Sequence, residues 1–258
     1  MREEGLQKHQ AACLKALLPV AKALEEQGIP FYLIEGSALG AVRHQGLIPW
    51  DDDIDIGVFR KDFRRAALAI EEVLPLDFNY TDRVRDPDFP RFFGKVIDVS
   101  TGRGCIDLFP LIATSKKERL RKKQWKRRKV YFKLYKAKIG YANEREKEGL
   151  KNRLKLAFAR FFSAFHSREG ILQRIEENEL WFETEELSPY YVNLYGAYTL
   201  EQELIDGDWI AHPKEVIFAG KTYRTMGDPD AYLTRLYGDY WAIPEEKDRA
   251  VRHDESFG

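Results

Sequence analysis

Cysteine is scarce in this 258-residue chain. Cys13 and Cys105 are the only two, and they stand too far apart in sequence to make a metal-ligand spacing. That argues against a disulfide-stapled secreted fold and for a reducing compartment. Net charge is absent as well, with 42 basic residues against 42 acidic ones. No apolar run approaches the roughly 20 residues of a membrane span. The opening Met-Arg-Glu-Glu-Gly-Leu-Gln-Lys does not read as a signal peptide. Internal repeats and low-complexity linkers are missing too. There remains one large domain, or a core with an appendage, 44% hydrophobic and 33% charged and expected in the cytoplasm.

The zero net charge conceals a segregation. Lys116 to Arg168 holds 20 Lys or Arg against 4 Glu, a net of +16, so the remainder carries −16. Two parts of one molecule with opposite fields suggest separate tasks. The expected organisation is a core over residues 1–112, a basic helical insertion over 113–187, and a C-terminal part over 188–258 that completes the core.

Periodicity predicts a helix over residues 7–27, stopped by Gly28 and Pro30, and then a buried strand over 31–34. A Glu35-Gly-Ser37 turn leads into a short helix from Ala38 to His44. An aspartate strand over 53–58 follows, then a helix from about Lys61 to Val73 and a loop over 82–91. Two strands, 92–99 and 104–109, alternate like a hairpin. The basic half reads as helices from Ser115 to Lys138, then toward His166, then to about Glu186. Residues 190–198 are aromatic and irregular. A hairpin turns at Ala219-Gly220, and Asp228 caps a last helix with Pro229 at its first position.

Chemistry concentrates at Asp51, Asp52, Asp53 and Asp55. A strand puts residues i and i+2 on one face, so Asp53 and Asp55 point together while Ile54 and Ile56 point into a core. Paired carboxylates suit a hard divalent cation, which phosphoryl transfer uses to neutralise phosphate oxygens. Upstream, Gly36-Ser37 at a helix start suits a phosphate. Downstream, Asp107 stands alone among apolar neighbours on a later strand, expected on the same face as Cys105 and Phe109.

The order of glycine-serine turn, Asp-x-Asp strand and a later single acid resembles the nucleotidyltransferase superfamily. The run Gly36-Ser-Ala-Leu-Gly-Ala-Val-Arg-His-Gln-Gly-Leu-Ile-Pro-Trp-Asp-Asp-Asp-Ile-Asp-Ile-Gly57 resembles the signature of the LicD family, bacterial phosphocholine transferases with fukutin-type ribitol-phosphate transferases as distant kin. Cys105-Ile-Asp-Leu-Phe-Pro-Leu111 and Tyr232-Leu-Thr-Arg-Leu-Tyr-Gly-Asp-Tyr240 fit it too. The resemblance implies an α+β fold, a small mixed sheet carrying the acids with helices packed on it and a basic helical insertion. It implies that Asp53, Asp55 and Asp107 are catalytic and bind the metal, with Asp51 as an extra ligand or a group that orients the ligands. Gly36 and Ser37 would hold the donor phosphate, and Arg43 would pair with the diphosphate, a salt bridge to Asp51 or Asp52 being its structural alternative. His44 reads as a helix-end hydrogen-bonding residue rather than a base.

Mg²⁺ is the expected cofactor, with Mn²⁺ open. The expected substrates are CDP-choline or another CDP-alcohol and a hydroxyl of a glycan or teichoic acid precursor, lipid-linked or free. The basic half, with its aromatic residues, suits either an anionic membrane surface or a solvated cap on the core. Trp181, Phe182, Tyr190, Tyr191, Tyr195, Tyr198 and Trp209 include candidates for a box around a quaternary ammonium, though core packing is the commoner use of such residues. The rivals are a ribitol- or glycerol-phosphate transferase, a nucleotidyltransferase acting on nucleic acid, and an inactive membrane scaffold. No RNA-binding module is visible, so nucleic acid is not expected as a partner.

Overall fold

The computed structural model describes residues 3–141, 150–245 and 249. In chain order its elements are α1 (Glu3–Glu26), β1 (Phe31–Leu33), α2 (Glu35–His44), β2 (Ile54–Phe59), α3 (Phe63–Val73), β3 (Phe78–Thr81), β4 (Gly94–Asp98) and β5 (Arg103–Thr114). The basic half follows as α4 (Glu118–Lys138), α5 (Leu150–Ala164) and α6 (Arg168–Glu179). The chain closes with β6 (Tyr190–Asn193), β7 (Leu204–Asp206), α7 (Gly207–Ala211), β8 (Lys214–Phe218), β9 (Lys221–Thr225) and α8 (Pro229–Tyr237). Residues 142–149, where the second basic helix was expected to begin, lie outside the described residues, as do 250–258.

The architecture is α+β. Five strands run in the order β1-β2-β5-β4-β3, and β6 and β7 extend the sheet from the far end of β5. Among the described residues only β2 and β5 pair in parallel; every other neighbour is antiparallel. The 12-residue β5 is the spine, because its first part lies between β2 and β4 while Leu111 to Thr114 pairs with β6.

Alternation divides the sheet's two faces. Phe31, Leu33, Ile54, Ile56 and Val58 join α1 and α3 in one apolar layer with Leu17, Leu24 and Ile70. Tyr32, Phe59, Phe109 and Leu111 face a second layer with Tyr135, Tyr191, Tyr232 and Leu236. Burying each such side chain stabilises the fold by about 1.5–3 kcal/mol, so exchanging the two faces by a one-residue slip is strongly opposed.

Several elements depart from the sequence expectation. α2 starts at Glu35, not Ala38, with Ile34 in the cap position and no side-chain cap, so Gly36 and Ser37 form the helix's first turn instead of preceding it. The third basic helix ends at Glu179, and the irregular aromatic stretch contains β6. β3 was not anticipated. Cys105 does not share the face of Asp107. Between Val96 and Ile97 the register shifts, Val96 pairing with Ile106 and Ile97 with Gly104. This bulge adds one residue and turns Cys105 into the α1 layer beside Cys13. The hairpin at Ala219-Gly220 is as expected: φ is +49° and +77°, as a two-residue turn requires. Asp228 caps α8 through Ala231 N–H at 3.0 Å, with Pro229 in the first turn.

The basic half is fastened to the sheet by a buried polar network. Gln124 Oε1 accepts from the Thr114 hydroxyl at 2.7 Å, and Gln124 Nε2 donates to Asn178 O at 2.9 Å, tying α4 and α6 to the end of β5. Among the described residues no helix is long and apolar enough to cross a membrane.

Candidate active site

The parallel register of β2 and β5 sets Asp55 directly opposite Asp107. Neighbouring strands lie about 4.8 Å apart, and Asp53, one residue before β2, turns to the same face. A carboxylate oxygen from each of Asp53, Asp55 and Asp107 lies within 4.8 Å of the others. Asp51, Asp52 and Asp53 form an overlapping set.

The first turn of α2 closes over this cluster. The Asp55 N–H donates to Ser37 Oγ at 2.8 Å, which fixes the start of β2 to the helix. A methyl at the Gly36 Cα would stand 2.8 Å from Asp51 Oδ2 and 3.3 Å from Asp55 Oδ2, so a larger residue there would push these carboxylates aside. Thus Gly36 and Ser37 both touch the acids, and the electropositive end of α2 faces them.

Burial is the main cause of the cluster's electrostatics. It pushes the Asp51 carboxyl up to about 8, with the charges of Asp53 and Asp52 adding to it. Asp55 is raised well above the usual carboxylate range by burial first and then by Asp53, Glu35 and Asp107. Buried carboxylates this close must bind protons or gain a cation.

One cation is built in. Lys95, on β4 and paired in register with Asp107, sets its Nζ 2.5 Å from Asp107 Oδ1. Arg103 pairs with the outlying Asp52 at 3.0 Å. Sequence reasoning missed both, and it missed Glu35. Glu35 is buried at φ +44°, its carboxyl raised to about 7 chiefly by burial and held by Asn193 Nδ2 at 2.5 Å. The Glu35 N–H donates to the Tyr232 hydroxyl at 3.1 Å, which brings the C-terminal Tyr232–Tyr240 segment to the site.

Arg43 is placed elsewhere. It occupies the last turn of α2, seven residues past Gly36 and so about 10 Å along the helix. Its Nη1 donates to Tyr240 O at 2.5 Å and its guanidinium lies 5.8 Å from the Trp50 ring. Among the described residues no ion pair joins it to Asp51 or Asp52. His44 has a helix-end role: its Nε2 accepts from Arg43 Nε at 2.9 Å.

The aromatic residues do not gather into one box. Tyr191 and Tyr195 are core, Trp181 stacks on Phe182, Tyr198 meets Tyr237 and Trp209 meets Tyr232. Several of these rings already face the protein's own cations: Arg128 lies 5.2–5.4 Å from the rings of Trp125, Phe132 and Tyr195, Arg127 lies 4.8 Å from Trp181, and Arg235 lies 4.6 Å from Trp209.

Two carboxylates on parallel strands and a third just before β2 thus gather beside the N-terminus of α2. Comparison with known proteins places the segment that holds them. Residues 28–153 match the LicD/FKTN/FKRP nucleotidyltransferase domain, so this part of the chain is a LicD-family domain. It is 24% identical to the lipopolysaccharide cholinephosphotransferase LicD of Haemophilus influenzae, an alignment covering 98% of this chain and 97% of that protein. The human ribitol 5-phosphate transferase FKRP is 44% identical over 19% of this chain and 11% of its own length. The mouse ribitol-5-phosphate transferase FKTN is 39% identical over 31% of this chain and 18% of its own.

Proposed function

We propose that the protein is a divalent-metal-dependent phosphotransferase that moves phosphocholine from CDP-choline to a glycan hydroxyl and releases CMP. The observation that carries this reading is the convergence of Asp53, Asp55 and Asp107 within 4.8 Å beside the first turn of α2. An all-oxygen donor set of crowded, buried carboxylates fits Mg²⁺ or Mn²⁺. Asp53, Asp55 and Asp107 would hold the ion, with Asp51 at its edge. When bound, such an ion neutralises phosphate charge and the charge developing on the leaving CMP.

The chain's own residues supply the rest. Backbone N–H groups of Gly36 and Ser37, at the positive end of α2, hold the donor phosphate. Lys95 pairs with Asp107 and holds its carboxylate in place. An acceptor hydroxyl oxygen attacks the choline-bearing phosphorus in line, and the bond from that phosphorus to the oxygen of CMP breaks. The hydroxyl proton passes to a carboxylate of the cluster, with Asp107 as first choice. Arg43 holds the Tyr240 segment against the far end of α2.

Similarity to FKRP and FKTN keeps ribitol phosphate as a second donor group, with glycerol phosphate behind it. The +16 field of the basic half would draw a phosphate-rich glycan acceptor at the inner face of the membrane. Nucleic acid is no part of this reading. The test is CMP release from CDP-choline, CDP-ribitol and CDP-glycerol, with Mg²⁺ or EDTA, for wild type and Asp53→Asn. Metal-dependent release from one donor, lost in the variant, supports the reading and names the head group. Full activity in Asp53→Asn would overturn it.

A further inference from the structure

Phenylalanine is among the residues most often buried, yet four on α5 and just beyond it face solvent. Phe158, Phe161, Phe162 and Phe165 are 63%, 60%, 50% and 71% exposed. Their spacing of i, i+3, i+4 and i+7 makes them one helical stripe, and their rings touch in succession. Leu154 extends the stripe at 54% exposure. An exposed apolar face this continuous marks a docking surface.

The charge beside it identifies the partner. Arg153, Lys155 and Arg160 are exposed on the same helix, and no acidic residue occurs from Leu150 to Arg168. Between α4 and α5 lies a mainly apolar groove of about 990 Å³, lined by Val130, Leu134, Leu154, Phe158 and Phe162. Exposed Lys133, Lys155 and Arg174 also line it. An apolar stripe with cations alongside matches the acyl boundary and the headgroups of an anionic bilayer. A second copy of the chain would bring two such basic faces together, which like-charge repulsion opposes.

We propose that α5 docks the protein on an anionic lipid bilayer, its phenylalanine stripe entering the acyl boundary and a lipid chain occupying the groove. The acceptor hydroxyl is then met at the membrane surface. The docking itself does not depend on the transferase reading.

The test is co-sedimentation of the full chain with phosphatidylcholine vesicles and with vesicles also containing phosphatidylglycerol, across a salt series. Wild type sediments with the anionic vesicles only, and less as salt rises. Phe161→Ser with Phe165→Ser weakens binding at least about tenfold, and Arg153→Glu with Lys155→Glu weakens it as well. Neither pair changes CMP release from soluble donor, which shows that the variants are folded. Three results would each overturn the proposal. The chain fails to sediment with anionic vesicles, the phenylalanine variant sediments like wild type, or the wild type is a dimer that this variant turns into a monomer. Because sedimentation needs no turnover, failure of docking and failure of the transferase reading are read separately.

Discussion

Lys95 offers the most direct test of how the acid cluster is held together. Its side chain is 12% exposed and its partner Asp107 6%, so the pair sits largely outside the screening of water. Lys95→Met keeps the apolar stem and removes the charge, leaving Asp107 buried beside Asp53 and Asp55 without its cation. Breaking one side of a buried ion pair costs about 3 kcal/mol or more. For a chain of this size that lowers the melting temperature by about 6–12 °C. Two further measurements identify the cause. Lys95→Met with Asp107→Asn removes both charges and should recover most of the loss. Mg²⁺ at about 100 times the wild-type Kd adds about 2.7 kcal/mol to wild type, and the same concentration should add more to Lys95→Met, because the ion replaces the missing charge and binds that variant more tightly. Calorimetry with and without Mg²⁺ reads all of this. If the double variant melts where Lys95→Met does, the loss is one of packing and the electrostatic reasoning fails.

Three other outcomes follow from the same geometry. Asp55→Asn should melt higher than wild type in EDTA, since burial and its neighbours oppose that charge, yet lose at least about 10²-fold in CMP release; a variant both active and more stable would contradict the site's role. Gly36→Ala should leave the metal-free fold intact, as alanine favours a helix by about 1 kcal/mol. Its methyl crowds Asp51 and Asp55, so the Mg²⁺-induced rise in melting temperature should shrink. Glu203 is buried and accepts the Tyr198 N–H at 2.9 Å; burial first, then the charge of Glu35, holds its carboxyl well above the ordinary range. A raised carboxyl means that the unfolded chain releases this proton first. The contribution of Glu203 to wild-type stability therefore falls as pH climbs past about 4.3. Glu203→Gln should match wild type near pH 3 and become progressively more stable above pH 4.3, as urea unfolding across pH will read.

The sequence carried the site better than its surroundings, for a physical reason. Asp53 and Asp55 were legible because strand periodicity is local: Ile54 and Ile56 had to share a face, so the acids had to share the other. That Asp107 meets them depends on β2 and β5 being parallel neighbours, a non-local fact that only the family resemblance anticipated. Lys95 shows where local counting breaks down. From the hairpin pair Asp98 and Arg103, an unbroken ladder would set Lys95 opposite Ile106 and Gly94 opposite Asp107. The bulge beyond Ile97 moves Lys95 opposite Asp107 and Gly94 opposite Leu108. The same extra residue sends Cys105 away from the acids and into the α1 layer. Glu35 was hidden for a different reason. Its left-handed backbone, at φ +44°, is one that glycine or asparagine advertises and glutamate does not. This buried acid at the head of α2 is held against that local preference by Asn193 and Tyr232, from distant parts of the chain. Of the residues that local rules misplaced, two therefore stand beside the acid cluster: the cation paired with Asp107 and the buried acid at the head of α2.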